Sequence, residues 1–166
     1  MIRRAALPLL LLLALSACGL RPLYAGGERG PVASTLAAIS VAPIPERAGW
    51  LMRNALVDKL GGEKPGAPYR LVVDLDDDIS GFGIRGDRSV TRERRTLRAR
   101  YRLVQASSGL VLLDATAGSD AGIDVVSSPY ATVAAEQTAL ERLSRVVADQ
   151  IVARLALYAS SRPIGQ

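Results

Sequence analysis

The chain has 166 residues and a net charge of +5 at pH 7, and its basic side chains are all arginine except Lys59 and Lys64. The absence of histidine and the single cysteine exclude Ser-His-Asp and Cys-His catalytic groups, His-ligated metals and internal disulfides. The length suits one globular domain, and the positive charge predicts an anionic partner: nucleic acid, membrane or lipid headgroup.

The first 18 residues have the pattern of a bacterial export signal. Arg3 and Arg4 precede an apolar run from Leu7 to Ala17, which is too short to cross a bilayer as a helix. The run ends in Leu15-Ser16-Ala17-Cys18, which is similar to a lipobox and predicts cleavage before Cys18 and lipid attachment to it. A lipid anchor would then hold the mature protein to the membrane. The predicted organisation is a signal peptide (1–17), a lipidated tether (18–35), a single domain (36–160) and a short tail (161–166).

The predicted elements begin with a short strand at 37–42, where Ile39 and Val41 alternate with small or polar neighbours. Pro45 opens a helix that carries apolar residues at helical spacing and ends at Gly61-Gly62. Three strands follow, at 69–79, at 91–104 and from 111 onward; their odd positions are apolar and their even positions are mostly polar. This alternation indicates a meander with one packed face and one solvated face.

A long helix closes the chain. Ser128 and Pro129 suit its start, and an apolar stripe continues to about residue 158. The order β-α-β-β-β-α predicts an α+β fold, a two-layer sandwich with two helices packed on one face of a four-stranded, mostly antiparallel sheet.

Most charges on the solvated face have predicted partners. If the strands at 69–79 and 91–104 form an antiparallel hairpin that turns near residue 87, three positions of the first strand, Asp74, Asp76 and Asp78, lie opposite Arg100, Arg98 and Thr96 of the second. Arg102 would face Asp114 on the next strand. Opposite charges across strands stabilise a sheet, so Arg98, Arg100 and Arg102 are explained as structural residues.

The charge balance at the hairpin tip differs from that of the rest of the solvated face. Residues 85–95 hold five arginines against two acidic residues, and the carboxylates of the neighbouring strands no longer lie opposite them. Glycines at 81, 83 and 86 indicate a flexible approach, and arginine suits bidentate contacts to phosphate. The sequence therefore predicts an anion-binding site at the tip, formed by Arg88, Arg92, Arg94 and Arg95.

The acidic residues at 74–78 do not form a calcium loop. An EF-hand loop beginning at Asp74 would require glycine at 79 and glutamate at 85, where the chain has Ile79 and Arg85. No metal site is therefore expected. A hydrolase that uses Asp74 or Asp76 remains an alternative.

The residues from Cys18 to Tyr24, Cys-Gly-Leu-Arg-Pro-Leu-Tyr, resemble the start of the LPS-assembly lipoproteins of the LptE family. The resemblance continues in the order of elements and in the closing helix, at Ser128-Pro129-Tyr130-Ala131 and Ala148-Asp149-Gln150-Ile151. It covers essentially the whole mature chain.

The resemblance implies a non-catalytic outer-membrane lipoprotein without a cofactor beyond the lipid on Cys18. Such a protein would sit as a plug in the lumen of the β-barrel LptD, on the periplasmic side, and the pair would insert lipopolysaccharide into the outer leaflet. The family offers no strict lipopolysaccharide-binding motif, so the tip arginines follow from charge and topology. The alternative is a lipoprotein subunit of another, ABC-type, envelope lipid-transport complex. Nucleic acid is not an expected partner, because export removes the chain from it.

Overall fold

The computed structural model describes residues 30–84 and 90–161. These residues form seven elements in the order α-β-α-β-β-β-α. The helices are α1 (Pro31–Leu36), α2 (Glu46–Lys59) and α3 (Pro129–Ser161), and the strands are β1 (Ile39–Val41), β2 (Tyr69–Ile84), β3 (Val90–Gln105) and β4 (Val111–Asp124).

The four strands form one sheet in the order β1-β2-β3-β4. β1 runs parallel to β2, and the other neighbours are antiparallel. The helices pack on one face of this sheet, so the predicted two-layer α+β fold is confirmed. The predicted order lacked α1, which begins at Pro31 inside the segment predicted to be tether. Val32 and Leu36 of α1 are buried in the core, so the folded part of the chain begins before residue 36.

The core lies between the sheet and the helices. The odd-numbered positions of the strands supply Leu71, Leu97 and Tyr101, and the helices supply residues at helical spacing, among them Met52, Leu56, Leu143, Val147, Ile151 and Leu155. Burying each large apolar side chain contributes about 1.5–3 kcal/mol. This packing leaves the even-numbered side chains of β2, β3 and β4 on the opposite side of the sheet, which we call the outer face.

The turn before α2 is tight and requires a glycine. A Cβ atom on Gly49 would lie 2.6 Å from the carbonyl oxygen of Ile44. Glu46, at the first position of α2, has a φ of 66°, in the left-handed region that non-glycine residues rarely adopt. The chain thus reverses sharply from β1 into α2, which lets α2 cross over the sheet toward the start of β2.

The register of the hairpin is the predicted one. Asp74, Asp76 and Asp78 lie opposite Arg100, Arg98 and Thr96, and Arg102 lies opposite Asp114. The strands are longer than predicted, and Gly81 and Gly83 lie within β2. They are therefore part of the sheet and not a flexible approach to it; at Gly83 the Thr91 hydroxyl donates a hydrogen bond of 2.7 Å to the glycine carbonyl.

Candidate functional site

Two ion pairs cross the middle of the outer face diagonally. Arg100 donates two hydrogen bonds, of 3.2 and 2.8 Å, to the carboxylate of Asp114. Arg102 donates one of 3.1 Å to Asp74. Each arginine thus binds an acid of the other neighbouring strand, two residues from the position directly opposite it. The predicted structural role of these two arginines is confirmed, with the partners exchanged.

The pair between Arg100 and Asp114 shifts both pKa values. The hydrogen bonds from Arg100 lower the pKa of Asp114 below its ordinary value. The same bonds raise the pKa of Arg100. Both groups are therefore charged at neutral pH, and together they add no net charge to the outer face.

Arg98 does not form the predicted ion pair with Asp76, although the two residues are opposite each other. Its side chain lies across β4, where a Cβ atom on Gly118 would come within 2.7 Å of Arg98 Cδ. The absence of a side chain at residue 118 provides this space. Among the described residues Arg98 has no carboxylate partner, so its charge remains available to solvent.

Arg95 has strong internal partners, contrary to the prediction that the tip arginines lack them. It donates hydrogen bonds of 2.8 and 2.6 Å to the carboxylate of Asp77 and one of 2.9 Å to the main-chain oxygen of Glu136 in α3. Its position is odd-numbered, so it points toward the helices, and its side chain is only 12% exposed. The bonds to Asp77 raise the pKa of Arg95. Arg95 therefore joins the hairpin to α3, and the structure does not present it to a ligand.

Arg92 also has a carboxylate partner that was not predicted from the sequence. Its Nε donates a hydrogen bond of 3.0 Å to Asp124, at the end of β4. The register could have identified this acid, since Asp124 lies directly opposite Arg92. Both side chains are well exposed, and such surface pairs contribute only about 0–1 kcal/mol. Arg92 can therefore exchange Asp124 for another anion at little cost.

Arg94 is exposed and, of the predicted residues that the structure describes, it is the one that binds no carboxylate. Its guanidinium lies over the ring of Phe82, 5.3 Å from the ring centre, and no carboxylate among the described residues binds it. Phe82 is 39% exposed. Arg88 lies outside the described residues. We call Ile79–Phe82 of β2 together with Thr91–Arg95 of β3 the hairpin end.

Exposed apolar side chains at Phe82 and in the segment that follows β4 were not predicted as functional. Val125 donates a main-chain hydrogen bond of 3.0 Å to Thr91, which holds the segment after β4 beside the start of β3. Val126, Tyr130 and Val133 follow in this region with exposed side chains, Tyr130 at 89%. Exposed cations beside exposed apolar groups form a surface suited to an amphiphilic anion.

The acidic residues of β2 are divided between the two faces of the sheet. Asp74 and Asp77 lie on opposite faces of the sheet, and each is bound by an arginine. No group of three potential metal ligands occurs among residues 30–84 and 90–161. Within the same residues, no helix is both long enough and apolar enough to cross a membrane.

Comparison with solved structures identifies the class of fold. The chain is similar to a crystal structure from Caulobacter crescentus CB15 that is described as a lipoprotein. The match covers 80% of this chain and 100% of the Caulobacter chain, with 24% identity and a TM-score of 0.67. Rare lipoprotein B from Shewanella oneidensis matches 74% of this chain and 95% of its own, with 10% identity and a TM-score of 0.56. Lipoprotein B from Nitrosomonas europaea matches 74% and 84%, with 12% identity and a TM-score of 0.58. The chain thus has a two-layer α+β fold that also occurs in bacterial lipoproteins.

A family model identifies the chain more closely. The model described as "LptE: Lipopolysaccharide-assembly" matches residues 36–155, which is most of the chain. The chain belongs to the LptE family, so it is a non-catalytic lipopolysaccharide-assembly lipoprotein of the cell envelope without a cofactor. No curated protein sequence matches the chain significantly.

Proposed function

We propose that this chain is an outer-membrane lipoprotein that is anchored by lipid on Cys18, assembles with an LptD-like β-barrel and binds lipopolysaccharide for insertion into the outer leaflet. Family membership supports the lipopolysaccharide-assembly role. The observation that carries the ligand assignment is Arg94, an exposed cation beside exposed apolar side chains at the hairpin end.

The outer face supports the plug role in the barrel lumen. A surface inside a water-filled barrel must be polar but must not carry a large unpaired charge, because the lumen wall is itself polar. The outer face meets this condition, since Arg92, Arg100 and Arg102 are each bound to an aspartate. The charges of Arg94 and Arg98, which have no carboxylate partner among the described residues, are balanced on the same face by those of Asp76 and Asp78. A lipid on Cys18 would keep the domain on the periplasmic side, with the domain reaching into the lumen.

Lipopolysaccharide has phosphate groups next to acyl chains, and the hairpin end has matching chemistry. Arg94 is free of carboxylates among the described residues, and Arg92 holds Asp124 only through an exposed pair. A guanidinium binds phosphate through two parallel hydrogen bonds. The exposed ring of Phe82, directly beside Arg94, would contact the acyl chains. In this proposal Arg92 and Arg94 contact the ligand, Arg88 adds charge, and Arg95 positions the hairpin through its contacts to Asp77 and Glu136.

Lipopolysaccharide binding to the purified full chain tests the ligand assignment. The double substitution Arg92→Ala with Arg94→Ala should weaken binding about tenfold or more, because charge-assisted hydrogen bonds contribute about 1.5–3 kcal/mol each. The difference in lipopolysaccharide affinity between the wild type and this variant should become smaller as the salt concentration is raised. The control removes two exposed arginines of α3, Arg142→Ala with Arg145→Ala, and should bind as the wild type does. Equal weakening in the control would show that net charge alone attracts the ligand.

A further inference from the structure

The edge of the sheet at β2 is only partly covered. β1 pairs with β2 at Tyr69–Leu71, whereas β2 continues to Ile84. Tyr69 donates a main-chain hydrogen bond to Ala38, and Leu71 accepts one from Ala42, so the odd-numbered residues of β2 direct their backbone groups toward this edge. In a strand the direction alternates, so residues 75, 77, 79 and 81 face the same way. No described residue pairs with their backbone groups, and we call residues 75–81 the free edge.

Two prolines explain why β1 stops where it does. Pro43 and Pro45 follow β1, and the chain then enters α2 through the left-handed Glu46. Proline fixes its own φ and has no N–H, so it cannot extend the ladder along β2. A cavity of about 420 Å³ lies between this connection and β2, lined by residues 44–46, Ala48 and Gly49 on one side and by residues 73–77 on the other. The chain thus leaves the edge and does not return to it in the described residues.

The other edge of the sheet is protected differently. α3 packs along β4, and the side chain of Gln150 accepts a hydrogen bond of 3.2 Å from the main-chain N–H of Gly118. In the described part of the chain, one outward N–H of β4 is therefore bonded by a side chain, whereas no hydrogen bond there reaches the outward backbone groups of β2 at residues 75–81.

The free edge also carries acids without partners. Asp74 and Asp77 are bound to Arg102 and Arg95, but Asp76 and Asp78 form no ion pair among the described residues and are exposed on the outer face. On the helix side of the same edge lie Leu75, which is partly buried, and Ile79, which is 39% exposed. A strand placed along this edge would meet acids on one side and apolar groups on the other.

We propose that the free edge binds a β-strand of a protein partner, in which Lys or Arg residues that face Asp76 and Asp78 alternate with apolar residues that face Leu75 and Ile79. Backbone hydrogen bonds would supply affinity, and the alternating side chains would supply specificity. This inference goes beyond the lipopolysaccharide assignment and does not depend on it. A second copy of the chain is a poor partner, since antiparallel pairing of two β2 edges brings the two acidic rows together.

Hydrogen exchange on the full chain in detergent tests the proposal, with a blocked nine-residue peptide of alternating Lys and Val as the probe. The peptide should slow exchange of the amides of Leu75, Asp77 and Ile79, while the even-numbered amides, already bonded to β3, stay unchanged. A Glu–Val peptide of the same length should produce no protection, because like charges oppose each other. Absence of protection by the Lys–Val peptide would overturn the proposal. Protection of the same amides in the chain alone would also overturn it, because the edge would then already be occupied.

Substitutions separate charge recognition from backbone pairing. Asp76→Asn with Asp78→Asn should weaken peptide binding about two- to thirtyfold, as two cross-strand charge pairs are lost. The control Asp120→Asn with Glu141→Gln removes two exposed acids elsewhere and should leave binding unchanged. Ile79→Pro removes an outward N–H without removing a β2–β3 hydrogen bond, and it should abolish binding while the thermal transition is retained. Equal weakening in the control, or full binding by a folded Ile79→Pro chain, would contradict the proposal.

Discussion

Arg95 shows how one side chain can change its role between sequence and structure. In the sequence it belongs to a run of basic residues, but its odd position turns it toward the helices. There it binds both carboxylate oxygens of Asp77 and the main-chain oxygen of Glu136. A hairpin that extends beyond the core needs such a connection, because few apolar contacts hold its outer part. Arg94, one residue earlier, points the other way and remains accessible.

Substitutions of these two neighbours should therefore differ in their effect on stability. Arg95→Ala removes hydrogen bonds to a charged group and leaves Asp77 without its partner, which should lower the free energy of unfolding by about 1.5–3 kcal/mol. Arg94→Ala removes an exposed side chain and should change it by about 0.5 kcal/mol or less. Urea denaturation of both variants measures the difference. Equal stabilities would show that Arg95 does not hold the hairpin to α3.

The ion pair between Asp114 and Arg100 should make a pH-dependent contribution to the stability of the fold. Hydrogen bonds from Arg100 lower its pKa in the folded state, so the pair stabilises the fold above the unfolded pKa of about 4. This contribution is lost as the pH falls through the lower, folded pKa. Arg100→Gln should therefore reduce stability at pH 7 and have a smaller effect at pH 2, as measured by urea denaturation. Arg98→Gln, which removes an arginine without a carboxylate partner, should show no such pH dependence.

At the scale of elements, the alternation of apolar and polar residues was sufficient to predict β2, β3 and β4 and their register. In the register of the sheet, Asp74 lies directly opposite Arg100 and Arg102 directly opposite Asp114, as the pattern predicts. Helix α1 could not be predicted in this way, because six residues are too few to show a helical period. Its burial comes from contact with α3, which is distant in sequence.

The candidate site could be predicted only in part, because contacts between elements distant in sequence complete it. Charge and alternation identified Arg92 and Arg94 as residues of the outer face near the hairpin turn. The partners of Arg95 depend on how α3 crosses the sheet, and the position of Glu136 relative to β3 is not encoded in strand periodicity. The exposed apolar residues near the hairpin end, Tyr130 among them, become a surface only when the end of β4 is joined to β3.

Substitution of two glycines, Gly49 in the first turn of α2 and Gly118 within β4, should have different effects on stability. At Gly49 an added Cβ meets the main chain of Ile44, which cannot move without changing the turn into α2. Gly49→Ala should therefore lower the free energy of unfolding by about 1–3 kcal/mol. At Gly118 the nearest atoms belong to the flexible side chain of Arg98, so Gly118→Ala should cost less. Thermal denaturation compares the two, and a larger loss at Gly118 would contradict this description of the turn.

At the scale of the whole molecule, the net charge of +5 is a poor guide to function. Two of the arginines behind it lie in the predicted signal peptide, and several others are bound to aspartates on the sheet. What remains is a polar outer face on which acidic and basic residues nearly balance, with Arg98 accessible in its middle and Arg94 at one end. This distribution matches a protein that is enclosed by a polar partner and still meets an anionic lipid. A uniformly basic surface would instead suit non-specific attraction to any polyanion.

Affinity purification of the tagged full chain from detergent-solubilised outer membrane tests the central claim most directly. The account predicts a stable complex with one large β-barrel protein, identified by mass spectrometry, and a loss of surface lipopolysaccharide when the chain is depleted. Recovery of an inner-membrane ABC-type complex in its place would support the alternative assignment. Recovery of neither partner, with surface lipopolysaccharide unchanged on depletion, would contradict the account.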